Sequence, residues 1–455
     1  MAKFLTADQM KKLVKGGGMA AGDPRWKLTD YKGRSVAHAV AKLGRLPYGF
    51  DLWDIADSRG RTVAHEMAEQ GFMPPGFDRW ELADGSGWTV AHVAAKSGHL
   101  RPGFDRWEIS DRRRWSAAHV AAQEGRLPPD FDRWDISNGK GYSVAHAAAY
   151  ARRLPPGFDR WDIAGNTGWT VAHAAAHEGQ LPPGFDRWEL SDEKGWSVAH
   201  SAAGSGCLPA DFDRWEIFDR GKWTVAHVAA SCWTLPEGFG LWHLKDNRGF
   251  SVAHAAAQKG HLPPGFSSWD LAQPDGWTVA HESASWGYLP EGFDRWDMAD
   301  RKGVTVAHAA ALGGCLPKGF DLWELRDVNG YAVGHYAAQK GHLPEGFDRW
   351  DLTTPGGMTM YHAAATGGQL PPGFSDWGLA TAKGGTVAHF AATAGHLPEG
   401  FSEWYLLDGV GNTVFAVAMS KQSFPDGLSR SSMTEAVGQS RVAMMEKRGY
   451  VFRVP

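Results

Sequence analysis

The chain has 455 residues, 43% of them hydrophobic and 22% charged, with a formal net charge of −4. That composition is too apolar for a disordered chain and too near neutrality to be drawn by charge to DNA or an anionic membrane. No apolar run reaches the roughly 18 residues of a transmembrane helix, and three cysteines without motif spacing, Cys207, Cys232 and Cys315, build no disulfide framework.

The first residues, MAKFLTADQMKKLVKGGG, hold no apolar stretch long enough for a signal peptide, so a reducing cytoplasm is the expected location. They predict a short amphipathic helix near Ala7–Lys15, and residues 1–23 read as an N-terminal cap. From residue 24 the chain repeats. His recurs every 27 residues from His38 to His389, fourteen times, and Trp fifteen times from Trp26 to Trp404. Phe holds a third register from Phe50 to Phe401. The unit reads D-x-x-G-x-(T/S)-V-A-H-x-A-A-x-x-G-x-L-P-x-G-F-D-R-W-(D/E)-(L/I).

Each part of the unit has a local cause. Thr or Ser three residues before His, absent only at Ala332, can cap the first N–H groups of a helix. V-A-H-x-A-A supplies strong helix formers, and the following Gly ends the helix. L-P can open a second helical turn. F-D-R-W then sets Phe and Trp three apart, on one face of such a turn. After Trp404 the pattern decays: Ala416 replaces His, and Phe424-Pro425-Asp426-Gly427 is a last echo. The stretch 433–449 predicts one closing helix within a C-terminal cap and tail, 429–455. A unit of 27 residues cannot bury its own Phe, Trp and Leu, so stacking must. The expected fold is an all-α solenoid of about fifteen helix–turn–helix units with a shortened second helix, spanning 24–428.

The stretch DGSGWTVAHVAAKSGHL at 84–100 resembles the ankyrin repeat signature, D-x-x-G-x-T-P-L-H-x-A-A-x-x-G-H. The likeness covers about nine-tenths of the chain and is specific for the first half of each unit. The second half departs from it, with L-P-x-G-F-D-R-W in place of a long Leu-rich helix. Short-unit arrays of this kind are similar to ones found in bacteria and phages. The resemblance implies a protein-interaction scaffold. It also implies that the repeating His links its capping Thr to the next unit's loop.

The histidine series suits neither metal binding nor catalysis. Stacked helices lie about 8–10 Å apart, whereas a shared zinc needs each nitrogen within about 2.1 Å. A catalytic centre uses one His in a unique setting. The six other histidines, His99, His177, His243, His261, His342 and His396, are expected to be solvated, and the Trp26–Trp404 series to be core. No nucleotide-binding, redox or nucleophile motif is present, so no cofactor and no enzymatic activity are expected.

One position varies. Between the loop Gly and the capping hydroxyl stand Arg34, Arg61, Trp88, Trp115, Tyr142, Trp169, Trp196, Trp223, Phe250, Trp277, Val304, Tyr331, Met358, Gly385 and Asn412. In ankyrin-type folds this slot lies at the loop-to-helix corner. The aromatic members Trp88, Trp115, Tyr142, Trp169, Trp196, Trp223, Phe250, Trp277 and Tyr331 are the candidate partner-binding residues, since apolar strips of this size mark interfaces and Trp and Tyr dominate hot spots. The other reading makes them a second core ladder filling space left by the truncated helix. Arg61 and Asn412 in the same slot favour the first. The expected partner is another protein. Nucleic acid or glycan stacking on the same rings is the alternative, disfavoured for nucleic acid by the mildly acidic net charge. The expected state is a monomer, with pairing of two copies through the strip left open.

Overall fold

The computed structural model describes residues 4–16, 18–425 and 429–450. Among them lie a helix at Ala7–Gly16 and fifteen repeat helices at 27-residue intervals, from Val36–Ala41 to Val414–Lys421. No extended strand occurs among the described residues; each loop closes through one isolated antiparallel bridge, such as Ala83↔Thr89. The chain forms two compact units, Met1–Val225 and Ala226–Pro455. Within each, consecutive repeat helices pack on one another, giving an all-α repeat solenoid. No described helix is long and apolar enough to cross a membrane.

The repeat starts at a cap. Ser143 sits in extended conformation before Val144–Tyr150, and its hydroxyl accepts from the backbone N–H of His146. Val and Ala of the first turn are fully buried in most repeats, as Val144, Ala145, Ala147 and Ala148 illustrate. Many helices then end on a left-handed Gly, such as Gly98 at φ 76°. Alanines let successive helices approach closely: a Cβ added at Gly367 would run into the carbonyl of Ala338 on the preceding helix.

The expected second helix is not there. After the first helix, Pro-x-Gly-Phe folds as a reverse turn, with Phe158 N–H donating to Pro155 C=O at 3.2 Å. At the third place of most such turns stands a left-handed Gly, as Gly103 at φ 78°, a conformation that excludes a helix. A second turn carries Trp, with Ile109 N–H donating to Arg106 C=O at 3.2 Å. A short 3-10 helix at Pro24–Lys27, before the first repeat helix, is the sole helical form of this segment among the described residues. The three-residue spacing of Phe and Trp serves another purpose. In the first unit the rings alternate edge-to-face from Trp26 through Phe50, Trp53 and Phe77 to Phe212 and Trp215, with centroids 5.1–5.7 Å apart. Such contacts contribute about 0.5–1.5 kcal/mol each beyond burial. The Trp of this ladder are buried throughout the first unit, whereas Trp242, Trp269, Trp296, Trp350 and Trp377 of the second are only partly so.

The ends also differ from expectation. The predicted closing helix 433–449 is two helices, Arg430–Val437 and Gln439–Lys447. Gly438 separates them at φ 86°, ψ 154°, a conformation essentially reserved for glycine. They bury Met433, Val437, Val442 and Met445 in the core cluster around Trp404 and Phe415. Of the expected last echo, Asp426 and Gly427 lie outside the described residues.

Candidate functional site

Each loop is built from an acidic side chain outward. Asp111 accepts through Oδ1 from the backbone N–H groups of Arg113 and Trp115, both at 2.8 Å. The same pair of bonds recurs at Asp30, Asp57, Asp84, Asp192 and Asp219. Neighbouring loops are tied through their backbones, as Gly85 N–H to Arg59 C=O at 2.9 Å and Glu193 N–H to Thr167 C=O at 3.0 Å.

The slot residue ends the loop, and its carbonyl joins one repeat to the next. His92 Nε2 bonds the Trp115 carbonyl at 2.7 Å and His146 Nε2 the Trp169 carbonyl at 3.0 Å. The same link, 23 residues long, runs from His38 to Arg61, from His281 to Val304 and from His389 to Asn412. The other nitrogen, Nδ1, faces the capping hydroxyl and backbone N–H, as with Ser143 Oγ at 2.8 Å and Ser143 N at 3.2 Å. A carbonyl requires a donor and a backbone N–H requires an acceptor, so these rings are neutral with the proton on Nε2. Burial holds His38, His92, His146 and His200 below the usual imidazole range, and His254 and His335 down to about 4. Fully buried His362 is different. Its Nε2 has no partner, because the Gly385 carbonyl, near enough to favour the proton, falls outside hydrogen-bond geometry.

The slot side chains lie over this ladder. All nine candidate residues, Trp88, Trp115, Tyr142, Trp169, Trp196 and Trp223 in the first unit and Phe250, Trp277 and Tyr331 in the second, are half-buried. Trp169 leans on the His173 ring at 4.7 Å and Trp196 on His200 at 4.8 Å. Trp115 leans on His119 at 4.6 Å and stacks with Tyr142 at 5.5 Å. The strip therefore presents ring edges and parts of faces, and its rings also pack over the histidine ladder. The variety of slot residues has a physical basis: the ladder uses the slot backbone, whatever the side chain. Arg61 fits by bonding Glu66 at 3.2 Å and Glu69 at 2.5 Å, and Asn412 is exposed.

Where a slot lacks a ring, the next repeat can supply one. Val304 leaves His308 open, and Tyr336 covers it at 4.7 Å with its hydroxyl donating to Asp327. Met358 leaves His362 open, and Phe390 covers it at 5.2 Å. The two missing slot rings at Met358 and Gly385 open a recess of about 430 Å³, lined also by Tyr331, Phe390 and Lys383.

Sequence reasoning missed three features. His99, His261, His342 and His396 are not simply solvated. Each Nδ1 bonds a helix carbonyl of the preceding repeat 31 residues back, at 2.9–3.3 Å. Exposed aromatic rings occur elsewhere, at Trp233, Trp286 and Tyr288. Charge is also sorted by face. In the eight loops of the first unit (residues 30–34 and every 27 to 219–223) there are eleven Lys or Arg and seven Asp or Glu. The seven Phe–Trp turns there (49–54 to 211–216) carry sixteen acids and six Arg. Turn arginines pair across repeats, Arg106 with Glu81 and Arg133 with Glu108. Among the described residues no group of three or more His, Cys, Asp or Glu is placed to hold a metal ion. Against known proteins, the chain matches no protein-family model and no curated sequence at a significant level.

Proposed function

We propose that this chain is an ankyrin-like binding scaffold, not an enzyme, and that it holds another protein on the loop-to-helix corner formed by the slot side chains. One observation carries the reading. The slot is the place in the repeat where the backbone is fixed by the histidine ladder while the side chain ranges from Arg through Trp to Gly. A rigid frame with variable side chains suits recognition, because little ordering entropy remains to be lost on binding. The signature shared with ankyrin repeats points the same way, as does the use of each buried His in a structural bond. A cytoplasmic, monomeric protein is part of this proposal.

The test replaces Trp115, Trp169 and Trp196 by Met, which slot 358 already carries, so packing over the histidines is kept and the flat rings are lost. Wild type and variant, both shown folded by circular dichroism, are used to capture partners from a lysate of the source cell or its host. Recovery of one protein by wild type and its loss from the variant is the expected result. Equal recovery by both refutes the assignment of the corner.

A further inference from the structure

The loops beside the slots of repeats four to eight carry a row of cations that the fold does not consume. Arg112, Arg113, Arg114, Lys140, Lys194 and Lys222 are exposed, and none belongs to a salt bridge among the described residues. The acids nearby are otherwise engaged. Six of the seven in the first unit's loops are the loop-opening aspartates, each accepting two backbone N–H groups through Oδ1; Glu193 is the seventh. Their charge is turned into the loop, and the cations face outward.

Two of these cations stand where backbone geometry disfavours them. Arg114 and Lys222 hold φ of 58° and 57° in the place that glycine takes in the neighbouring loops. Among the described residues of the first unit, Arg152, at a helix end, is the third non-glycine residue with positive φ, and it too is a cation. Backbone strain of this kind is retained where the side chain has work to do.

We propose that this loop row binds an extended acidic segment of the protein partner, an inference that rests on the scaffold reading above. The engaged rings speak against stacked bases: Trp115 packs on both His119 and Tyr142, and Trp169 and Trp196 each lean on a histidine. Recognition of an anionic chain then falls to the loop cations. Repeat helices pack about 8–10 Å apart, and an extended chain advances about 3.3 Å per residue, so one carboxylate in every three residues keeps step with the repeats and meets cations in four of the five loops, the loop 165–169 carrying none.

The test uses fluorescence anisotropy with three labelled probes: (Glu-Thr-Ser)8, (Lys-Thr-Ser)8 and an oligothymidylate 20-mer. Wild type is compared with Arg113→Glu/Lys140→Glu/Lys194→Glu and with the milder triple Gln variant, both at exposed positions. Wild type should bind the Glu probe, more weakly as salt rises, and should prefer it to the Lys probe. The triple Glu variant should bind the Glu probe at least tenfold more weakly, with the Gln variant in between. Failure of wild type to bind the Glu probe at 50 mM salt, or equal binding by the variants, overturns the proposal. Tighter binding of the oligonucleotide, lost in the variants, replaces an acidic protein with nucleic acid and also overturns it. If the variants still capture the partner that the slot variant loses, this proposal fails and the scaffold reading stands.

Discussion

At the scale of single residues, the repeat allows one position to be judged against its fourteen equivalents. Ala332 occupies the cap with the usual extended backbone, φ −83° and ψ 160°, and its N–H still donates to His335 Nδ1 at 3.2 Å. What it lacks is the hydroxyl. Ala332→Ser should therefore stabilise the protein by about 1 kcal/mol, read as a higher urea midpoint with an unchanged slope. A similar argument applies to the strained cations. Arg114→Gly and Lys222→Gly release left-handed backbone that costs roughly 1 kcal/mol, so each should raise thermal stability while weakening binding of the Glu-rich probe. The histidine roles were legible through the resemblance to ankyrin repeats, which implied a link from His to its capping hydroxyl and to the next loop. The bonds of His99 and His342 were not, since their partners Ala68 and Ala311 lie 31 residues earlier and are carbonyls that leave no trace in side-chain identity.

At the scale of elements, the first half of the unit was readable and the second was not. Thr or Ser, Val-Ala-His and the terminal Gly each state a helix position. Pro-x-Gly-Phe-Asp-Arg-Trp states two things at once: three-residue spacing that suits a helical face, and a Gly that at φ near 78° forbids the helix. The glycine prevails because the turn delivers Phe and Trp to an edge-to-face ladder shared with the neighbouring repeat. The slot was read halfway. Arg, Gly and Asn among the aromatics looked like the mark of an exposed place, yet Arg61 survives there by pairing with Glu66 and Glu69. In sequence, each Trp or Tyr slot is followed 32 residues on by Ala, Ser or Val, whereas Tyr336 and Phe390 follow Val304 and Met358. That exchange of volumes was the available signal for packing.

At the scale of the whole molecule, the repetition multiplies a weak acid sensitivity. Buried histidines such as His38, His92, His146 and His200 are neutral in the fold, with affinity for protons lowered by burial, to about 4 at His254 and His335. Unfolded histidine titrates near 6.5, so the unfolded chain binds more protons below that pH. The stabilisation is complete above pH 6.5 and falls as the pH drops toward 4, by up to about 1.4 kcal/mol per pH unit for each histidine. Denaturant midpoints should decline steeply between pH 6.5 and 4.5; a flat profile there contradicts the neutral ladder. The loan of a ring across the joint has a different consequence. Tyr336 completes the repeat of His308, and Phe390 that of His362, so a unit cut at the boundaries of its own sequence motif is not self-sufficient. The inherited module in that stretch is the junction, the latter half of one motif with the opening half of its successor. Duplication or loss of single motifs there strands one partner of a matched pair, and the order of repeats becomes part of the information the chain must preserve.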